Sequence, residues 1–114
     1  MRYYITEEER KRSGSTSFIE FQRGMYDGEC WHIDSICMDE DMFFELGLRR
    51  LFSSVLPQFD YYGITQVSSA ELKKLQEAAV GFNDNNDASD AIRELSEWIG
   101  GTGDEEILFT ICGM

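Results

Sequence analysis

Apolar positions along this chain recur with two different periods. From Asp39 to Val55, in "DEDMFFELGLRRLFSSV", they recur on most sides of a helix through Met42, Phe43, Leu46, Leu48, Leu51, Phe52 and Val55. Asp39 is a good N-cap, and Pro57 pushes the residue before it away from helical dihedrals, so the pattern predicts one largely buried helix over 39–55. Ser68 and Glu71 have capping-box spacing ahead of Leu72, Leu75, Ala79 and Phe82 at i, i+3, i+7 and i+10, which predicts a second helix with one apolar stripe. After the polar loop "NDNND", Ala88, Ile92, Leu95 and Ile99 predict a third, capped by Asp87 or Ser89 and stopped by Gly100 and Gly101.

Alternating and β-branched stretches mark the strands. "MRYYI" is a candidate first strand, "FIEFQRG" and "ECWHIDSICM" follow around the glycines of "GMYDG", "YYGITQVS" is a fourth, and "EEILFTIC" closes the chain. "TEEERKRSGSTS" reads as a charged connection and exposed turn, its acids balancing its bases. The two strands across 17–37 have a predictable register. Phe21 opposite Trp31, Ile19 opposite Ile33 and Arg23 opposite Glu29 are all favourable pairs, with Glu20 opposite His32 on the other side. The predicted order is βββαβααβ, neither strictly alternating nor segregated, which fits a single α+β domain over 1–114 with a mainly antiparallel sheet and about three helices.

Charge changes the picture. There are 22 acids against 10 bases, a net charge of −12. From Gly24 to Leu48 no Lys or Arg occurs, while Asp27, Glu29, Asp34, Asp39, Glu40, Asp41 and Glu45 do. Such a surface repels phosphate backbones and anionic membranes, so direct nucleic-acid or membrane binding is disfavoured, and it attracts a basic protein by long-range steering. Two readings of these acids stand side by side. Asp39, Glu40 and Asp41 suit a helix N-terminus, where the macrodipole favours negative charge. The same acids, with Asp27, Glu29, Asp34 and Glu45, also make a patch for a basic partner, to which the loop-like "FDYYG" adds Tyr61 and Tyr62 as interface anchors.

Candidate chemistry adds little. Cys30, His32 and Cys37 are the one metal-like cluster, but no second short-spaced pair completes a ligand set, so neither metal nor other cofactor is expected. "NDNNDASDAIRE" departs from a calcium-binding loop at its first ligand, Asn83, and at its turn position, Ala88. His32, the sole histidine, gains a carboxylate neighbour in Glu20 if the register holds, yet no nucleophile elbow, phosphate loop, zinc-protease or dinucleotide motif accompanies it, and no catalytic residue is assigned. Without an apolar leader or a span long enough for a bilayer, the chain is expected to be cytoplasmic.

In size, acidity, α+β pattern and lack of a catalytic signature, the chain resembles the immunity proteins of bacterial contact-dependent growth inhibition and related polymorphic toxin systems. The resemblance implies a non-enzymatic cytoplasmic protein that binds one cognate basic toxin, a nuclease, and covers its active site. It rests on class features over the whole chain and transfers no individual residue. The alternative from another class is an acidic adaptor or structural interaction module, and a third is an enzyme built on His32 and Glu20; the pattern does not set the oligomeric state.

Overall fold

Alternation along the strands gives the sheet two different surfaces. Ile19, Phe21, Ile36, Met38, Val67, Phe109 and Ile111 lie on one face and belong to the main hydrophobic core. Glu20, Cys37 and Cys112 form a row across the other face, and Gln22, Thr110 and Gln66 form the next. The computed structural model describes residues 1–82, 86–100 and 107–114. Among them the elements run β1 (Ile5–Thr6), α1 (Glu7–Ser13), β2 (Phe18–Arg23), β3 (Ile36–Asp39), α2 (Glu40–Glu45), α3 (Leu48–Val55), β4 (Ile64–Val67), α4 (Ser69–Ala79), α5 (Asp87–Ile99) and β5 (Phe109–Cys112). The five strands pair antiparallel throughout in the order β1-β3-β2-β5-β4. The class is therefore α+β, but with five helices among the described residues rather than three and a different element order.

The apolar face carries α2 to α5. Phe43, Leu48, Leu51 and Phe52 from the first two and Leu72, Leu75, Ala79, Ala88, Ala91, Ile92, Leu95 and Ile99 from the others join the strand residues in one cluster. Ser68 and Glu71 form the expected capping box, with Glu71 N donating to Ser68 Oγ at 3.2 Å and Ser68 N to Glu71 Oε1 at 3.0 Å. Phe82 lies beyond the end of α4 and is only partly buried. Asn86, without a side-chain cap bond, occupies the N-cap of α5 in place of Asp87 or Ser89. Most of "NDNND", together with Gly101, Glu105 and Glu106, lies outside the described residues.

The helix expected over 39–55 is broken. Gly47 takes φ 75° and becomes the N-cap of α3, a left-handed conformation that glycine adopts without a Cβ penalty. The break lets Phe43 and Phe52 meet edge to face, with ring centroids 5.4 Å apart. The stretch assigned to an exposed turn is helix α1. Thr6 and Glu9 make a reciprocal capping box and Gly14, at φ 71°, ends the helix. Glu7 and Arg10 are buried there, with Arg10 Nε donating to Glu7 Oε1 at 2.8 Å and Arg10 Nη1 to Ser15 O at 2.8 Å.

The hairpin register also differs. Phe21 pairs with Ile36 and Ile19 with Met38, so Trp31 and Ile33 are not cross-strand neighbours of β2 at all. The segment 24–35 is a long loop, and it is tied to the second face of the sheet. Glu20, fully buried, accepts from Trp31 N at 2.6 Å, His32 N at 2.8 Å and Ser35 Oγ at 2.5 Å. Gln22 Nε2 donates to Glu29 O at 2.9 Å, Thr110 Oγ1 to Gly24 O at 2.8 Å, and Tyr26 N to Gln66 Oε1 at 3.0 Å. Trp31, at φ 64°, turns its ring under the Arg10 guanidinium, 4.0 Å from its centroid. Apolar alternation could not separate the registers, because Ile36 and Met38 alternate as well as Trp31 and Ile33 do. The buried polar residues of β2 favour the pairing that leaves loop backbone to satisfy them.

Exchanging Glu20 for glutamine replaces an acceptor by an amide that faces donors. Glu20→Gln is expected to cost about 3 kcal/mol in urea denaturation, since buried donors lose a charged acceptor.

Candidate functional site

The acids between Gly24 and Leu48 divide into two groups. Asp27, Glu29 and Asp34 sit on the 24–35 loop, which leaves the sheet at the end of β2 and covers its polar face. Asp39, Glu40, Asp41 and Glu45 follow the opposite end of β3 and lead into the helical layer. The single patch drawn by sequence proximity is therefore not assembled. Within the loop, Asp27 Oδ1 accepts from Glu29 N at 3.0 Å and lies 3.1 Å from His32 Nε2, and these two neighbours hold its carboxyl below its ordinary range. Glu20 reaches His32 only at the backbone nitrogen, so the pairing of this carboxylate with the imidazole is not formed.

The second group is joined by Tyr61 and Tyr62. Asp39 caps α2, its Oδ1 accepting from Asp41 N at 2.8 Å and Met42 N at 3.4 Å. Glu40 accepts the hydroxyl of Tyr61, whose ring stacks on buried Phe43 at 6.3 Å. Tyr62 stands edge-on to Tyr61 at 5.0 Å. The turn that carries both is fixed by Tyr62 N to Asp60 Oδ1 at 2.9 Å and Met114 N to Tyr61 O at 2.8 Å. A Cβ at Gly113 would lie 2.1 Å from Tyr61 O, so only glycine allows this approach.

Phe44 and Arg49 belong to this surface and were missed in the sequence, whereas Tyr62 was expected there. Phe44 is 71% exposed, beside exposed Asp41 and Glu45 on α2, and Tyr62 is 70% exposed. Adjacent helical residues point about 100° apart, so when Phe43 fills the core Phe44 cannot, and that signal was present in "MFFEL". Arg49 places its guanidinium 4.1 Å from the Tyr61 centroid and 5.9 Å from that of Tyr62, bringing a base to the edge of the acids from outside the base-free segment. Asp41 and Glu45 make no ion pair among the described residues.

The cluster of Cys30, His32 and Cys37 is not assembled either. Cys37 Sγ faces Glu7 Oε2 at 3.9 Å, while Cys30 comes close to Cys112 and Glu20. Burial, with Glu7 beside it, pushes the Cys37 thiol up to about 12. Among the described residues no helix is long and apolar enough to cross a membrane. Comparison with protein-family models, curated proteins and solved structures gives no match.

Burial, and then the hydrogen bond to Glu40, push the Tyr61 phenol from near 10 up to about 12. A proton held more tightly in the folded chain stabilises it fully below pH about 10 and ceases to do so as pH rises to about 12. Tyr61→Phe is therefore expected to be less stable than the parent at pH 8, with the difference narrowing between pH 10 and 12. Chemical denaturation across that range checks it, and a constant difference would remove the Glu40 contact as its source.

Proposed function

We propose that the protein is a stoichiometric inhibitor that binds a basic protein toxin of the nuclease class and covers its active site. The observation that carries this reading is the surface formed by α2 and the Tyr61–Tyr62 turn. Exposed Asp41 and Glu45 stand there beside exposed Phe44 and Tyr62, on a base anchored to the core through Phe43 and Tyr61. Acids on a surface attract and orient a basic partner, while aromatic rings supply contact area at low entropic cost, a combination suited to a tight, rapidly formed complex. Inhibition of this kind needs no catalytic group, and a net charge of −12 opposes binding of the inhibitor itself to the nucleic acid that a nuclease target binds.

Under this proposal the contact set is Asp41, Phe44, Glu45 and Tyr62, with Asp39, Glu40 and Tyr61 holding it in shape. Asp27, Glu29 and Asp34 belong to another surface. The test starts from a partner captured with the tagged protein from producer-cell lysate. The association rate of the pair is then measured at two ionic strengths. Asp41→Lys with Glu45→Lys is expected to slow association by about tenfold at low salt and to flatten its salt dependence. Glu40 is left intact because its carboxylate orders Tyr61. Glu29→Lys with Asp34→Lys is expected to leave the rate at physiological salt within about twofold of the parent, since charges beyond a Debye length of roughly 8 Å are screened there. An unchanged rate in the α2 variant excludes this surface, and a captured partner that is acidic contradicts the proposal as a whole.

A further inference from the structure

The second face of the sheet gathers groups that the α2 surface does not use. Glu20 and Cys112 are direct cross-strand partners on β2 and β5, both buried on that face. Cys30 descends on them from the 24–35 loop, and one carboxylate oxygen of Glu20 and the two Sγ atoms all lie within 4.8 Å of one another. The residues come from three separate segments of the chain, so their convergence is a product of the fold and not of local sequence. Cys30 itself is exposed.

We propose that Glu20, Cys30 and Cys112 bind a thiophilic divalent cation of the zinc class. A tetrahedral zinc site with two sulfurs at about 2.3 Å and an oxygen at about 2.0 Å has edges of roughly 3.5 to 3.8 Å. The observed cluster is within about an ångström of that, and the adjustment falls on Cys30, which the mobile end of a side chain on a loop can make. Glu20 is suited to the third position. A carboxylate offers about four acceptor sites, and Trp31 N, His32 N and Ser35 Oγ occupy three, which also fix the group in place. Those bonds are the outer contacts that orient a metal-ligating carboxylate. The hydroxyl of Tyr26, 4.0 Å from Cys30 Sγ, stands beside the loop ligand. Exposure on the Cys30 side leaves the fourth position to water.

Charge also balances. Binding breaks two S–H bonds, sends two protons to solvent and forms two metal–sulfur bonds. The dication cancels the two thiolate charges, so the buried site keeps the single negative charge of Glu20 that it had before. Removing this cation would not expose an extra charge, and loading it would not bury one. The metal would join the loop to β5 as well as to β2 and so close the polar layer over the sheet. The His32 ring is directed to Asp27 instead, which is why the spacing of Cys30, His32 and Cys37 in the sequence pointed to the wrong set.

The test uses the full chain, reduced with a phosphine, titrated with cobalt(II) and then zinc(II). One equivalent of cobalt is expected to produce a thiolate-to-metal charge-transfer band and the visible bands of a tetrahedral site, both removed by one equivalent of zinc. Cys30→Ser is expected to weaken zinc binding by more than about tenfold and to diminish the charge-transfer band. Because Cys30 is exposed, this variant spares the core. Cys37→Ser, on the same face but bonded to Glu7, is expected to leave spectrum and affinity unchanged. No charge-transfer band in the reduced protein, or the same band and affinity in Cys30→Ser, would overturn the site.

Discussion

A carboxylate buried in the middle of a sheet sets the terms for much of this structure. Glu20 is flanked by Cys37 on one side and Cys112 on the other, with no exposure to water. A buried charge of this kind is stable only if its oxygens are satisfied, and here the satisfying groups are two backbone N–H donors and a hydroxyl of the 24–35 loop. The loop must therefore double back over the sheet. Gln22, Thr110 and Gln66 extend the same arrangement to Glu29, Gly24 and Tyr26. A long loop that is exposed over most of its length is thus held by side chains from three strands. Gln22 Oε1 is the buried side-chain polar atom left without a partner among the described residues.

This constraint divides the molecule. The loop and α1, through Arg10 and Trp31, form a polar layer on one face, and four helices form the apolar layer on the other. Acids adjacent in sequence are sent to different places because β3 runs between them. On the loop, Asp27 takes part in ordering it through Glu29 N and the His32 ring. Those on α2 meet the Tyr61–Tyr62 turn, where Asp39 and Glu40 are engaged by the fold and Asp41 and Glu45 face outward. Within "DED", Asp39 caps the helix and Glu40 accepts the Tyr61 hydroxyl, while Asp41 is exposed and is the member left to the proposed partner contact.

What could be read in the sequence follows from how local each signal is. The α4 capping box, the stripes of α4 and α5, the stop at Gly100 and the N-cap role of Asp39 are set by neighbours within a turn, and they stand as expected. Thr6 and Glu9 carried an equally local signal for α1, obscured by reading "EEERKR" only for its charge. Gly47 in "ELGLRR" marked a break, but apolar residues on both sides made one long helix equally consistent with the pattern. Register was different in kind. It depends on Glu20 needing donors far along the chain, and alternation sees only apolar faces. The candidate site was half legible: α2 and the tyrosines were found, Phe44 and Arg49 were not, and the loop acids were joined to them by proximity in sequence alone.

The Glu20 carboxylate holds the loop to the sheet, and native-state amide hydrogen exchange reports on that contact directly. Trp31 and His32 lie in no helix or strand. If their N–H groups donate to the buried carboxylate, they exchange as slowly as the amides of β2, opening only when that part of the molecule unfolds. Exchange of both at the rate of an unprotected loop would contradict it.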